Sequence, residues 1–119
     1  MRVRFRIAIY EKEGKRLSKE DILDQKDALH IGIRYITEFK YLEATKWLML
    51  SGDCREKYLL LSLINLALGQ ETEGYEFMAE ALKYPSTTKY LFAIERPEKN
   101  LRLFIERPEV SLPDFLLSL

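Results

Sequence analysis

The chain has little with which to do reactive chemistry. One cysteine, Cys54, and one histidine, His30, occur in 119 residues. A lone cysteine excludes an internal disulfide and a multi-cysteine zinc site, and with a single histidine a metal centre would have to rest on carboxylates. There is no phosphate-cradling glycine loop, no dinucleotide fingerprint and no nucleophile elbow. The sequence thus implies no cofactor and no metal, and the expectation is a protein that is not an enzyme. No apolar run reaches the roughly 18 residues of a membrane span. The basic start RVRFRIAIY interrupts its apolar residues with arginine, where a secretory signal needs an unbroken apolar segment. A cytoplasmic location is the expectation. Asn and Gln together number four while Glu, Lys and Arg abound, a bias of heat-adapted proteins that points to a thermophilic source.

What is present is apolar residues and balanced charge. A hydrophobic content of 47% supports one core, so residues 1–119 are read as one domain. Nineteen basic residues meet nineteen acidic ones, but unevenly: residues 1–19 hold seven Lys/Arg against two Glu, and the remainder holds twelve against seventeen. A basic head of this kind seeks phosphate, lipid headgroups or an acidic surface, which includes the chain's own acidic body.

Residues 1–17 read as a strand-like head, with Val3, Phe5, Ile7 and Ile9 on one side and Arg2, Arg4 and Arg6 on the other. A lone strand needs a partner. Ser18 and Asp21 resemble a helix-start capping pair, and helical spacing continues to Ser51 with a weak break near Phe39. Asp53 is placed to cap the next helix, REKYLLLSLINLAL, which is apolar on nearly every face and must be covered all round. Gly69 ends it, and another helix runs to Pro85. Residues 86–109, with Pro97 at a tolerated first helical turn, read as a further helix pair in which the repeated pentapeptide IERPE, at 94–98 and 105–109, marks two similar helix ends. Residues 110–119 form an apolar tail.

Two blocks superpose at an offset of thirty: Gly32 on Ser62, Tyr35 on Asn65, Ala44 on Gly74, Leu48 on Met78 and Ser51 on Ala81. Small residues fall on small ones, the pattern of a two-helix unit whose small positions let helices approach. The later unit carries Tyr58, Leu61-Ser62, Leu68-Gly69, Gly74, Met78, Ala81 and Pro85; the earlier carries Ala28, Ile31-Gly32, Tyr35, Tyr41, Ala44, Leu48 and Ser51. On these residues the chain resembles the tetratricopeptide repeat family between Asp24 and Pro85. It departs from that family in its spacing of thirty rather than thirty-four, and in Glu38-Phe39 standing where Leu-Gly is expected. The resemblance implies a mostly α fold of two helix hairpins over 18–85 and a degenerate third unit over 86–109, to which the alternation of the head adds a short N-terminal β-strand. An ordinary helical bundle with chance small residues is the alternative.

The resemblance also implies a non-catalytic scaffold or adaptor that binds a protein partner, or a second copy, through a concave groove of Lys26, Leu29, Ile33, Ile36, Thr37, Glu56, Leu59, Leu63, Leu66 and Ala67. Six of these ten are Leu or Ile, and such a surface does not stay bare in water. The available covers are the docking tail (Phe115, Leu116, Leu117, Leu119), the strand-like head, and another chain. A second reading gives Arg2, Arg4 and Arg6, with Phe5 and Tyr10 nearby, to a nucleic-acid backbone. Cys54 is read as a structural thiol and His30 as either a buried hydrogen-bonding histidine or a partly exposed one, without an evident partner for general-base work. Asp21, Asp24 and Asp27, like Glu73, Glu76 and Glu80, are read as solvated helix faces, and Trp47-Leu48-Met49 as helix packing.

Overall fold

In the computed structural model of the chain, residues 3–86, 89–105, Pro113 and Leu116 are described. The strand expected of the head is present as β1 (Arg6–Glu11), and its partner comes from the other end of the sequence. β2 (Tyr90–Arg96) runs antiparallel to it with Ile7 opposite Ile94 and Ile9 opposite Phe92, and β3 (Leu101–Phe104) pairs antiparallel on the far side of β2. Residues 90–104 are therefore not a third helix pair, and the second IERPE lies outside the described residues beyond Ile105. A turn at Pro97–Lys99, closed by Asn100 in a left-handed conformation (φ 53°), joins two strands, and the first IERPE is a strand end rather than a helix end. Phe92, Ala93 and Ile94 are all buried, so β2 is covered on both faces and shows a continuous apolar run that a buried helix shares.

Between the strands lie α1 (Ala28–Thr37), α2 (Tyr41–Leu50), α3 (Arg55–Ala67) and α4 (Glu71–Ala81), so the chain is mostly helical with a small three-stranded antiparallel sheet. Ser18 and Asp21 do form a cap, with the Ser18 N–H donating to the Asp21 carboxylate at 2.9 Å, but it opens only a short 3-10 turn. The true start of α1 is Asp27, whose carboxylate accepts the His30 N–H. At α3 the capping atom is the Cys54 sulfur, which accepts the Lys57 N–H at 3.5 Å. Asp53 instead accepts from the Tyr58 hydroxyl at 2.7 Å and from Lys57 Nζ at 3.4 Å.

The offset of thirty is visible in the backbone. α1 ends at Thr37 and α3 at Ala67; α2 begins at Tyr41 and α4 at Glu71. Phe39 (φ 61°) and Gly69 (φ 83°) hold the same left-handed position, and the same closing bonds follow, Lys40 N–H to Tyr35 O at 2.9 Å and Gln70 N–H to Asn65 O at 2.8 Å. The small positions make the close helix contacts. A Cβ on Gly32 would lie 3.0 Å from Leu48, one on Gly74 would lie 2.6 Å from Leu66, and the Ser62 hydroxyl donates to Gly74 O at 2.6 Å.

The sheet lies over α1 and α3, with Ile7, Ile9, Phe92 and Ile94 in one core with Ile33, Ile36, Leu59, Leu63 and Leu66. Three further bonds fasten the head. The Ile7 N–H donates to the buried Tyr41 hydroxyl at 2.9 Å, the Leu17 N–H to Ile9 O at 2.8 Å, and the Arg4 N–H to Ala67 O at 2.7 Å. The first two occupy backbone groups on the outer edge of β1, leaving less of it open to pairing. Leu116 of the tail is buried in the same core. Phe115, Leu117 and Leu119 lie outside the described residues.

Candidate functional site

The groove expected on the first helices is filled. Ile33, Ile36, Leu59, Leu63, Leu66 and Ala67 are buried, Leu29, Thr37 and Glu56 are half-buried, and only Lys26 is exposed, its ammonium on Leu23 O at 3.1 Å. The head is the cover, together with β2. At about 25 cal/mol per Å² of apolar area, so many Leu and Ile side chains favour closure by the chain's own strands over exposure. The six buried positions are core rather than an open partner groove.

The two described arginines of the head separate. Arg2 lies outside the described residues, and Arg4 is spent on Glu71 at 2.8 Å. Arg6 is exposed, with its guanidinium 4.7 Å from the centre of the Phe39 ring, and among the described residues it pairs with no carboxylate. The sheet register then places Arg6, Glu95 and Arg102 in one row across the outward face, with Ala8, Ala93 and Phe104 in the next. Tyr10 lies across the small alanines. Its hydroxyl donates to Glu95 at 3.2 Å, its ring is 5.2 Å from that of Phe104, and the guanidiniums of Arg16 and Arg102 flank it at 5.8 and 5.5 Å. Glu95 is buried and accepts from Arg102 and Arg16 at 2.8 and 2.9 Å. Burial works to raise its carboxyl pKa, and the hydrogen bonds from Arg102 and Arg16 outweigh it, holding the group below its ordinary value. Arg6, Arg16, Glu95, Pro97, Asn100 and Arg102 line an open cleft of about 290 Å³.

The sequence reading missed this cluster. Glu95, Arg16 and Arg102 are brought together only by strand pairing, and pairing was not expected for residues 86–109. One signal was available: Phe39 stands where the repeat calls for glycine, and the structure keeps it there at positive φ with its ring exposed.

Elsewhere, His30 is a buried bridge. Its Nδ1 meets the Asp27 carboxylate at 2.8 Å and its Nε2 meets the Tyr90 hydroxyl at 2.8 Å and Lys89 Nζ at 3.2 Å, which ties α1 to β2. Burial pushes the Tyr90 hydroxyl up, away from ionisation at neutral pH. Cys54 serves as a cap. The outward face of α2 is unusual in carrying Leu42, Met49 and Leu50 at 53%, 53% and 73% exposure. The positions thirty residues on, along α4, are Thr72, Ala79 and Glu80.

No family model and no solved structure matches the chain. A stretch of 58 residues, 49% of this chain, is 31% identical to the beta subunit of a glycine–tRNA ligase from Ligilactobacillus salivarius (strain UCC118). The chain covers 8% of that protein's length, and the similarity is to a segment of it. Among the described residues, no helix is long and apolar enough to cross a membrane.

Proposed function

We propose that the two helix pairs are tetratricopeptide-like units and that the chain is a non-catalytic, cytoplasmic interaction module that binds a protein partner through the outward face of α2. The repeat reading is supported by helix ends, left-handed closures and small-residue contacts that recur thirty residues apart. The observation that carries the binding reading is the contrast between equivalent helices. α2 presents Leu42, Met49 and Leu50 to solvent where α4 has the exposed Thr72 and Ala79 and the half-buried Glu80. Folding does not require leucine at these positions, because α4 occupies the same place with polar or small residues. Surface apolar side chains grouped on one helix face, with Lys46 between them already paired to Glu43 at 3.4 Å, fit the apolar face of a partner helix.

The test compares the parent with a variant carrying Leu42→Ser, Met49→Ser and Leu50→Ser in affinity capture from the source cells. Equal melting of the two chains is checked first. A protein retained by the parent and lost by the variant supports the reading. Identical capture by both chains contradicts it.

A further inference from the structure

The outward face of the sheet holds what is needed to grip a chain of phosphates carrying unpaired bases. Three guanidiniums, from Arg6, Arg16 and Arg102, border the cleft with one carboxylate, Glu95, leaving an excess of two positive charges. Arg16 and Arg102 each direct a nitrogen to Glu95, so both are oriented from beneath, while their side chains remain about half exposed and keep further N–H donors for a ligand. Glu38, beside Phe39, is already engaged by Lys19 and Lys40. Two exposed aromatic rings flank the charge: Phe104, on β3, and Phe39, beyond β1 and under the Arg6 guanidinium. Phe39 holds its place in a left-handed backbone that glycine fills in the equivalent position, Gly69. A strained, exposed aromatic beside an arginine cluster is the combination expected of a ligand contact rather than of packing.

We infer that this face binds single-stranded nucleic acid, with the three arginines on the phosphates and Phe39 and Phe104 stacking on bases. The strand is single because a duplex hides the base faces that the aromatics need. The site is separate from the α2 surface, and its test does not depend on that surface.

Fluorescence anisotropy with labelled twelve-nucleotide oligo-dT and oligo-rU, a duplex of equal length, and inorganic phosphate as competitor reads the inference. Either or both single strands should bind at low salt, and more tightly than the duplex. Three phosphate contacts give a slope of log K against log salt of about −2. Arg6→Gln should flatten that slope by about 0.7. Phe39→Gly should weaken binding about fivefold or more with the slope unchanged. Both variants are checked by thermal melt, and neither residue is in the core. No single-strand binding at low salt overturns the inference, as do duplex binding that is equal or tighter and affinities unmoved by both variants. Displacement of the oligonucleotide by phosphate at matching concentration also overturns it, and would make the cleft a site for free anions.

Discussion

Phe39, exposed, and Glu95, buried beneath two arginines, show how single residues shape the outward face of the sheet. A non-glycine residue in the left-handed region costs about 1 to 2 kcal/mol, and the stacking of Arg6 on the Phe39 ring returns about 0.5 to 1 kcal/mol at an exposed site. Phe39→Gly is therefore expected to melt no lower than the parent, with a gain of up to about 1 kcal/mol in chemical denaturation. A clear loss would show that the ring is needed for packing. Glu95 gives a pH dependence of known sign. Its folded pKa lies below the ordinary 4.5, so its contribution is complete above that value and is lost as pH falls from there through the folded pKa. Melts from pH 7 down to about pH 3 should show a shallower acid decline in Glu95→Gln than in the parent. Parallel curves would remove the Arg16–Glu95–Arg102 cluster from the stability account.

At the scale of elements, the contacts between paired helices depend on residues too small to attract notice singly. Gly74→Ala puts a carbon 2.6 Å from Leu66, closer than real contacts allow, whereas Gly32→Ala meets Leu48 at 3.0 Å and Gly52→Ala meets nothing within 4 Å. Gain in helix propensity offsets part of the overpacking at the first two. The expected order is Gly74→Ala destabilised by about 1 to 2 kcal/mol, Gly32→Ala by less, and Gly52→Ala near neutral. Denaturant midpoints give the order directly, and an inverted one would refute the close-approach account. The strand is held as specifically as the helices. Tyr41→Phe leaves the buried Ile7 N–H without its acceptor and should cost about 1 to 3 kcal/mol, read as faster amide exchange along β1 and a lower melt. Helix pairs were legible from the sequence because close packing writes itself as Gly32, Ser62, Ala44 and Gly74 at fixed offset. β1 was legible from its alternation. β2 was not, because Ala93 is buried beneath Tyr10 on the outward side, and a strand covered on both faces loses the alternation that betrays it; β3, four residues of LRLF, is too short to show a period.

For the whole molecule, the consequence is that the sheet and the helices are one unit. The head and residues 90–105 close over α1 and α3, so the concave surface that the helix pairs suggest is consumed internally, and contacts with other molecules fall to outer faces. The sequence foretold that something must cover those leucines and named the head among the covers. Only the pairing registers of β1 with β2 and of β2 with β3 reveal the outward cluster of Arg6, Arg16, Glu95 and Arg102, since its members lie up to 96 residues apart in the chain. The central claim, that a protein partner meets the outward face of α2, is tested most directly by a photo-crosslinking amino acid placed at Met49 and, in a second chain, at the equivalent Ala79 of α4, with irradiation in the source cells. The account predicts a discrete protein adduct from position 49 and none from position 79. Adducts of equal yield from both positions, or an adduct from position 79 alone, would contradict it.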